Sequence, residues 1–397
     1  MDVNKVCSIL GVDGLFPEFQ PIFCVGSKKI IGIEGLIRGF SKGRIVSPDE
    51  LFLKAERKGI KLELDQTARY LIFNEFKRYF LENTDFLLFF NFDASILDVC
   101  MSRPWQIFTL CERAELPPER VVIEIIETKV KRFDALQKFV NRYRDLGFLI
   151  ALDDVGIEYS NLNRIPEIKP DFLKIDRLLI KGVENDEYKQ KLLRSLAYLS
   201  KEIGCFTIAE GVETKEEILV TLEIGLNFHQ GYKLALPSKA EGFDIDSYIS
   251  KVAELKSEFL EFFTSVATNK KALYDEFKRI VKDIARRLSR LKDPSKLESR
   301  LKEIISGYPR IQDAYVVDMN GCLLTELIFN LHSDVSNKKK LLEMCSSKET
   351  AFASTITSTL FSVENLINSF QNLTYTSLRK AGFAPYPNFV DLALVSR

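Results

Sequence analysis

Histidine and tryptophan are almost missing from this 397-residue chain, which has two His (His229 and His332) and one Trp. A metal centre built on imidazole is nearly excluded, because two rings cannot supply the usual ligand sets. Cysteine is scarce and unpatterned: Cys7, Cys24, Cys100, Cys111, Cys205, Cys322 and Cys345 are odd in number and form no CxxC pair. Such spacing reads as free thiols of a reducing compartment rather than a disulfide frame or zinc site. No apolar run reaches the roughly 18–20 residues that span a bilayer, and the opening MDVNKVCSILG has no basic stretch before a long apolar core. A cytoplasmic protein without a membrane span is expected. Net charge is lacking too. Lys plus Arg and Asp plus Glu are 56 each, so no overall field draws a DNA or RNA polymer or an anionic membrane. A phosphate-bearing ligand would need a local site.

What is present is core-forming material, 46% hydrophobic residues with 30 Phe, which argues against disorder. From Phe16 to about Pro237, short β-branched runs alternate with longer amphipathic ones. The strand candidates are Phe19–Val25, Lys29–Arg38, Phe86–Phe92, Val121–Ile126, Leu149–Asp153, Phe172–Ile175, Phe206–Ala209 and a piece near Asn227–Gln230. Helical patterns fill Ser47–Lys58, Leu62–Leu81, Arg132–Leu146, Asp186–Ile203 and Thr214–Ile224. Ser47-Pro48 is a cap followed by a first-turn proline, Thr214 with Glu217 has capping-box spacing, and Gly147, Gly204 and Gly225 stand where helices should stop. Eight strands with intervening helices predict an α/β fold, a TIM-like (β/α)8 barrel over residues 1–245. Only Gly26-Ser27 and Lys28 separate the first two strands, a hairpin length, so one strand is expected to run antiparallel.

Beyond Pro237 the texture changes. Val252, Leu255, Phe259, Phe262 and Val266, then Phe277, Ile280, Ile284, Leu288 and Leu291, predict a long helix of coiled-coil character within a linker over residues 246–307. Such a helix is ordinarily a linker or dimer strut. Asp293-Pro294 restarts a helix that Gly307 and Pro309 end. Residues 308–397 read as a small α+β domain, with a hairpin around Asn320-Gly321, a helical stretch near Ser336–Cys345 and a final apolar NFVDLALV.

Acids and amides recur at or just past the ends of the predicted strands: Glu34, Asn91, Glu124, Asp153 with Asp154, Lys174, Glu210 and Gln230. One carboxylate at a strand end is ordinarily a helix cap or a solvated loop acid. Glu124 and Glu127 inside VVIEIIET, and Lys174 inside FLKIDR, are harder to dismiss, because a bare charge in an apolar strand is costly. The carboxyl ends of barrel strands converge on one face, so these residues would meet there. Carboxylates and an amide are hard oxygen ligands suited to Mg²⁺ or Mn²⁺, and adjacent Asp153 and Asp154 could let one carboxylate bridge two ions about 3.5–4 Å apart. His229 reads as a strand-end filler rather than a base.

The ordered blocks FQPI (19–22), IEGLIRG (33–39), NFDASIL (91–97), VVIEIIET (121–128), LDDVGIEYSNL (152–162), FLKIDR (172–177), IAEGVET (208–214) and HQGY (229–232) resemble the EAL family over about residues 16–240, with Glu34-Gly35-Leu36 in place of Glu-Ala-Leu. The resemblance implies a cyclic di-GMP phosphodiesterase that yields linear pGpG. It implies Glu34, Asn91, Glu124 and Asp153 around a first metal ion, and Asp153, Asp154 and Glu210 around a second. Lys174 would hold or help deprotonate the attacking water. Glu127 and Glu213 would brace the loop after Asp154 and the metal-side network, while Gln20, Leu36, Arg38, Asn91, Asp176 and Gln230 would contact the dinucleotide. The family's DDFGTGYSSL is here DDVGIEYSNL, with Ile157 and Glu158 among the altered positions; a cyclic di-GMP receptor with weak or no hydrolysis is the alternative. The C-terminal part faintly resembles PAS- or Cache-like sensory domains, which implies regulation by an unknown ligand or protein there. A homodimer is expected, with Asp186–Ile203 as one candidate face.

Overall fold

Period-2 alternation of apolar residues frames the first of two units, Met1–Ser265 and Val266–Arg397. The computed structural model describes residues 2–82, 84–98, 106–126, 133–156, 164–309, 311–317, 325, 328–329 and 391–396. In the first unit the strands are β1 (Gly14–Cys24), β2 (Lys29–Ser41), β3 (Arg44–Val46), β4 (Leu87–Phe92), β5 (Val121–Ile126), β6 (Leu149–Val155), β7 (Phe172–Ile175), β8 (Phe206–Ala209) and β9 (Phe228–His229). Their order is β1-β9-β8-β7-β6-β5-β4-β2-β3, and β1 also pairs with β2. Eight strands thus close a barrel and β3 hangs outside on β2. Strand β1 runs antiparallel to both its neighbours, while every step from β2 through β4 to β9 is parallel. The first hairpin is longer than expected: its strands start at Gly14 and end at Ser41, and its turn is Val25–Lys28, with Lys28 at φ 58°.

Several helices begin and end where the cap residues stand. Ser47 accepts from the Glu50 amide with Pro48 in the first turn, Thr214 and Glu217 close a capping box, and Gly204 and Gly225 end their helices in the left-handed region. The sequence reading missed a helix at Val3–Leu10, the short β3 and a helix at Gln106–Ala114. The first is capped by Asp2 and buries Val6, Cys7 and Leu10, so its signal was present but only two turns long.

Inside the barrel, Ile22, Phe89, Val122, Ala151, Phe172 and Ile208 form an apolar plug. Gly32 makes room for it, since a Cβ there would lie 2.7 Å from Cε2 of Phe89. Outside, a second layer packs the barrel against the helices, with Phe19, Phe73, Phe76, Phe90 and Tyr143 among its buried members.

A helix at Ile245–Leu288 starts in the first unit and continues into the second. In the second unit, Ile284, Leu288, Leu297, Leu301, Ile304 and Ile305 pack with Ile311, Ala314 and Val316. Strand β10 (Ile311–Val317) lies between β11 (Ile328–Phe329) and β12 (Asp391–Ser396), antiparallel to both. After Asp293 a 3-10 turn at Pro294–Lys296 leads into a helix at Leu297–Ile305. Asn320-Gly321 and Ser336–Cys345 lie outside the described residues.

Candidate active site

Each polar residue of the barrel mouth stands one pleat above the apolar plug. Two residues beyond Phe89 comes Asn91, beyond Val122 Glu124, beyond Ala151 Asp153, beyond Phe172 Lys174, and beyond Ile208 Glu210. On antiparallel β1 the step is reversed, from Ile22 back to Gln20, and on β2 it runs from Gly32 to Glu34. Because side chains repeat with period 2, one ring of apolar residues therefore fixes a ring of polar ones above it. Cross-strand pairing of Gln20 with Glu34, and of Asn91 with Glu124, sets their common height.

Lys174 is at the centre. Its Nζ lies 2.5 Å from Glu124, 2.7 Å from Glu210, 3.5 Å from Glu34 and 3.7 Å from Asp153. Burial disfavours its ammonium, but these four carboxylates outweigh that and hold its pKa well above the lysine range. In this arrangement Lys174 keeps its proton and acts as a donor. Burial also opposes the Glu34 carboxylate, yet Lys174 and the amides of Gln230 and Asn91 bring its pKa below the ordinary value. Asn91 Nδ2 donates to Glu34 Oε1 at 2.8 Å, and Gln230 Nε2 to Glu34 Oε2 at 2.8 Å. Gln230 also reaches Gln20 Oε1 at 3.3 Å, and Gln20 Nε2 donates to the Ala235 carbonyl at 3.0 Å. Glu124 is fully buried, and neither of its carboxylate oxygens has an aligned hydrogen-bond partner. Burial first, then the charge of Glu34, raises its pKa well above the carboxylate range. Glu210 and Asp153 shift upward as well, chiefly through burial.

Leu36 and Arg38 follow Glu34 on the same face of β2; Arg38 Nε pairs with Glu18 at 2.9 Å and its guanidinium also donates to the Ile37 carbonyl. Asp176 caps a helical turn at Arg177–Ile180 by accepting from the Leu178 amide at 2.6 Å. Glu213 pairs with Arg177 at 2.5 Å rather than reaching the central cluster. Asp154 sits at φ 57°, a left-handed conformation rare for residues with a side chain, at the point where the β6–β7 register shifts. Glu127, Ile157 and Glu158 lie outside the described residues. Buried His229 meets the Thr221 hydroxyl at 3.0 Å, and burial lowers its pKa to about 3; it stays neutral.

Two supports were not found by sequence reasoning. Glu18 holds Arg38, and it was legible as the β1 residue two before Gln20, on the same face. Lys61 binds Asp93 at 2.6 Å and Ser95 at 2.9 Å, tying the start of the helix Lys61–Tyr79 to the loop after Asn91. No local pattern marks a link of 32 residues in sequence.

Among the described residues, no three acidic, His or Cys side chains stand closed in ligating geometry; the acids gather around the Lys174 ammonium instead. Their chemistry nonetheless fits divalent cations. The donor set is all oxygen, and Glu124 presents a buried carboxylate with Oε1 against the Lys174 ammonium and Oε2 without a hydrogen-bond partner. Glu34, Asn91, Glu124, Asp153, Asp154 and Glu210 are the residues that could hold such ions.

The profile of the family described as EAL domain matches residues 9–237. YkuI of Bacillus subtilis (strain 168), an uncharacterized EAL-domain containing protein, is 28% identical over 333 residues, 81% of this chain and 79% of that protein. Its crystal structure in complex with substrate c-di-GMP and calcium has a TM-score of 0.67 at 27% identity, covering 83% of this chain and 82% of that one. BlrP1 of Klebsiella pneumoniae, in a manganese and cyclic di-GMP complex, gives 0.52 at 27% identity over 56% of each chain. The cyclic di-GMP phosphodiesterase RocR of Pseudomonas aeruginosa is 32% identical over 139 residues, 34% of this chain and 35% of that protein. The chain therefore spans about four-fifths of YkuI but only a third of RocR.

Proposed function

This chain belongs to the EAL domain family, and from that premise we propose that it hydrolyses cyclic di-GMP to linear pGpG in a reaction that depends on Mg²⁺ or Mn²⁺. The observation that carries the reading is the ring of Glu34, Asn91, Glu124, Asp153 and Glu210 around Lys174. Similarity to proteins described as cyclic di-GMP phosphodiesterases, and to structures holding cyclic di-GMP with calcium or manganese, supports it. When two divalent ions are bound, the chemistry they supply is acidification of a water and neutralisation of charge on the phosphodiester.

The chain's own residues do the rest. Gln230 and Asn91 fix both oxygens of Glu34 and so set its orientation. Lys174, at the centre of the carboxylates, holds or helps deprotonate the attacking water. Arg38, held flat by Glu18, offers a planar fork to a phosphate. Gln20, Leu36, Asp176 and Gln230 line the path of the dinucleotide. Glu213 acts on the site through Arg177, and Glu127 is assigned to bracing the loop after Asp154.

A second reading is a cyclic di-GMP receptor that turns over poorly. It is favoured by one feature, the left-handed Asp154 immediately before a loop in which Ile157 and Glu158 depart from the family's pattern. We further propose that the enzyme is cytoplasmic, works as a homodimer, and is regulated through a PAS- or Cache-like domain over residues 308–397 that takes an unidentified ligand or protein. Support for the coupling lies in the helix Ile245–Leu288. Within the first unit Lys251 donates to the Leu234 carbonyl at 2.9 Å, next to the Ala235 carbonyl that holds Gln20. Assaying the full chain and one lacking residues 308–397 for pGpG tests this: altered kinetics support regulation, and identical kinetics refute it.

A further inference from the structure

Gly35 follows Glu34 on β2 and points away from the mouth, toward the helix Lys61–Tyr79. Its cross-strand partners are Phe19 on β1 and Phe90 on β4, both fully buried. Two large rings thus flank a position with no side chain, and Ile72 of the helix drops into the gap. A Cβ at position 35 would overlap Ile72 Cγ2 and lie 3.1 and 3.3 Å from Cγ1 and Cδ1. Ile72 has little freedom to move aside. A β-branched side chain in a helix has one strongly preferred rotamer, and Ile72 is 4% exposed, within a packed core.

We infer that Ile72 is a positioning residue for Glu34: seated on Gly35, it sets the depth of β2 and hence the placement of the Glu34 carboxylate against Asn91 and Gln230. The inference rests on the metal-dependent reading above. It explains why the alanine of the family's Glu-Ala-Leu cannot stand here without a change in the helix. A strand pushed off Ile72 can relieve the overlap only by moving toward the barrel interior. There Glu34 is held by hydrogen bonds of 2.8 Å on both oxygens, so even a shift of a few tenths of an ångström is felt.

The test is titration of the full chain with Mn²⁺ alone by calorimetry, beside cyclic di-GMP turnover and thermal melting. Gly35→Ala is expected to weaken Mn²⁺ binding about tenfold or more, as loss of a supporting contact does at metal sites. Gly35→Ala with Ile72→Ala should recover most of that loss, a coupling that a double-mutant cycle reads directly. Gly39→Ala is the matched control on the same strand, because its Cβ would meet Leu51 Cδ2 at 2.9 Å and Val46 Cβ at 3.2 Å. It should lower the melting temperature and leave Mn²⁺ affinity unchanged. Equal Mn²⁺ affinity in Gly35→Ala and wild type overturns the inference. So does a loss in Gly35→Ala that Ile72→Ala leaves unrescued, or an equal loss in Gly39→Ala. Absence of Mn²⁺ binding by the wild type instead overturns the reading on which it rests.

Discussion

Lys174 Nζ stands 2.5 Å from Glu124 Oε1 in a part of the barrel where neither side chain reaches solvent. The pair is not a stabilising ornament. Removing one member of a buried ion pair leaves an uncompensated charge, at a cost of about 3–5 kcal/mol, and here a single ammonium answers four carboxylates.

Lys174→Met should therefore destabilise the metal-free protein by roughly that amount, and added Mn²⁺ should recover much of the loss. Turnover should fall by about 100-fold or more, the scale of a lost proton-handling group, with KM little changed. Melting curves with and without Mn²⁺, and steady-state kinetics, check both. A rise in KM alone would make Lys174 a phosphate contact.

Asp154 joins an unusual backbone conformation to a proposed metal ligand. Asn tolerates the left-handed region nearly as well as Asp does. Asp154→Asn should thus keep the wild-type melting temperature and lose turnover, whereas Asp154→Val should lose both, with about 1–2 kcal/mol of strain. A fully active Asp154→Asn would remove this carboxylate from the site.

Arg38 owes its orientation to Glu18 at 2.9 Å. Arg38→Lys keeps the charge but not the planar fork. It should raise KM for cyclic di-GMP about tenfold, equivalent to about 1.4 kcal/mol, and change kcat less. Glu18→Ala should act in the same direction and more weakly. If neither variant alters KM, the phosphate contact lies elsewhere.

His229 has a folded pKa of about 3 against an ordinary 6.5. On acidification the unfolded chain takes up this proton first, so stability falls as pH drops from 6.5 toward 3. At pH 5 the loss from this one ring is about 2 kcal/mol. Urea unfolding at pH 7 and pH 5 should show a smaller acid loss in His229→Asn than in wild type. Equal losses would mean that the ring is not neutral in the folded state.

The barrel was legible because its strands carry their own apolar runs and several of its helices their own caps. The site was legible because carboxylates such as Glu124 are expensive inside such runs. What stayed hidden depends on approach between distant segments. Nothing near Gly35 says that Ile72 fills its missing side chain, and nothing near Asp93 says that Lys61 binds it. The charge state of Lys174 was equally unreadable, since it comes from four acids on four other strands or strand ends. Asp154's backbone follows from a register shift between β6 and β7, which no pattern in LDDVG announces.

The most direct test is to incubate the purified full-length chain with cyclic di-GMP, with and without Mg²⁺ or Mn²⁺, and to follow linear pGpG. The expected result is product that requires the divalent ion and disappears in Glu34→Ala, where the carboxylate held by Asn91 and Gln230 is gone. Cyclic di-GMP that binds but remains intact over many hours with either ion would contradict hydrolysis and leave the receptor reading.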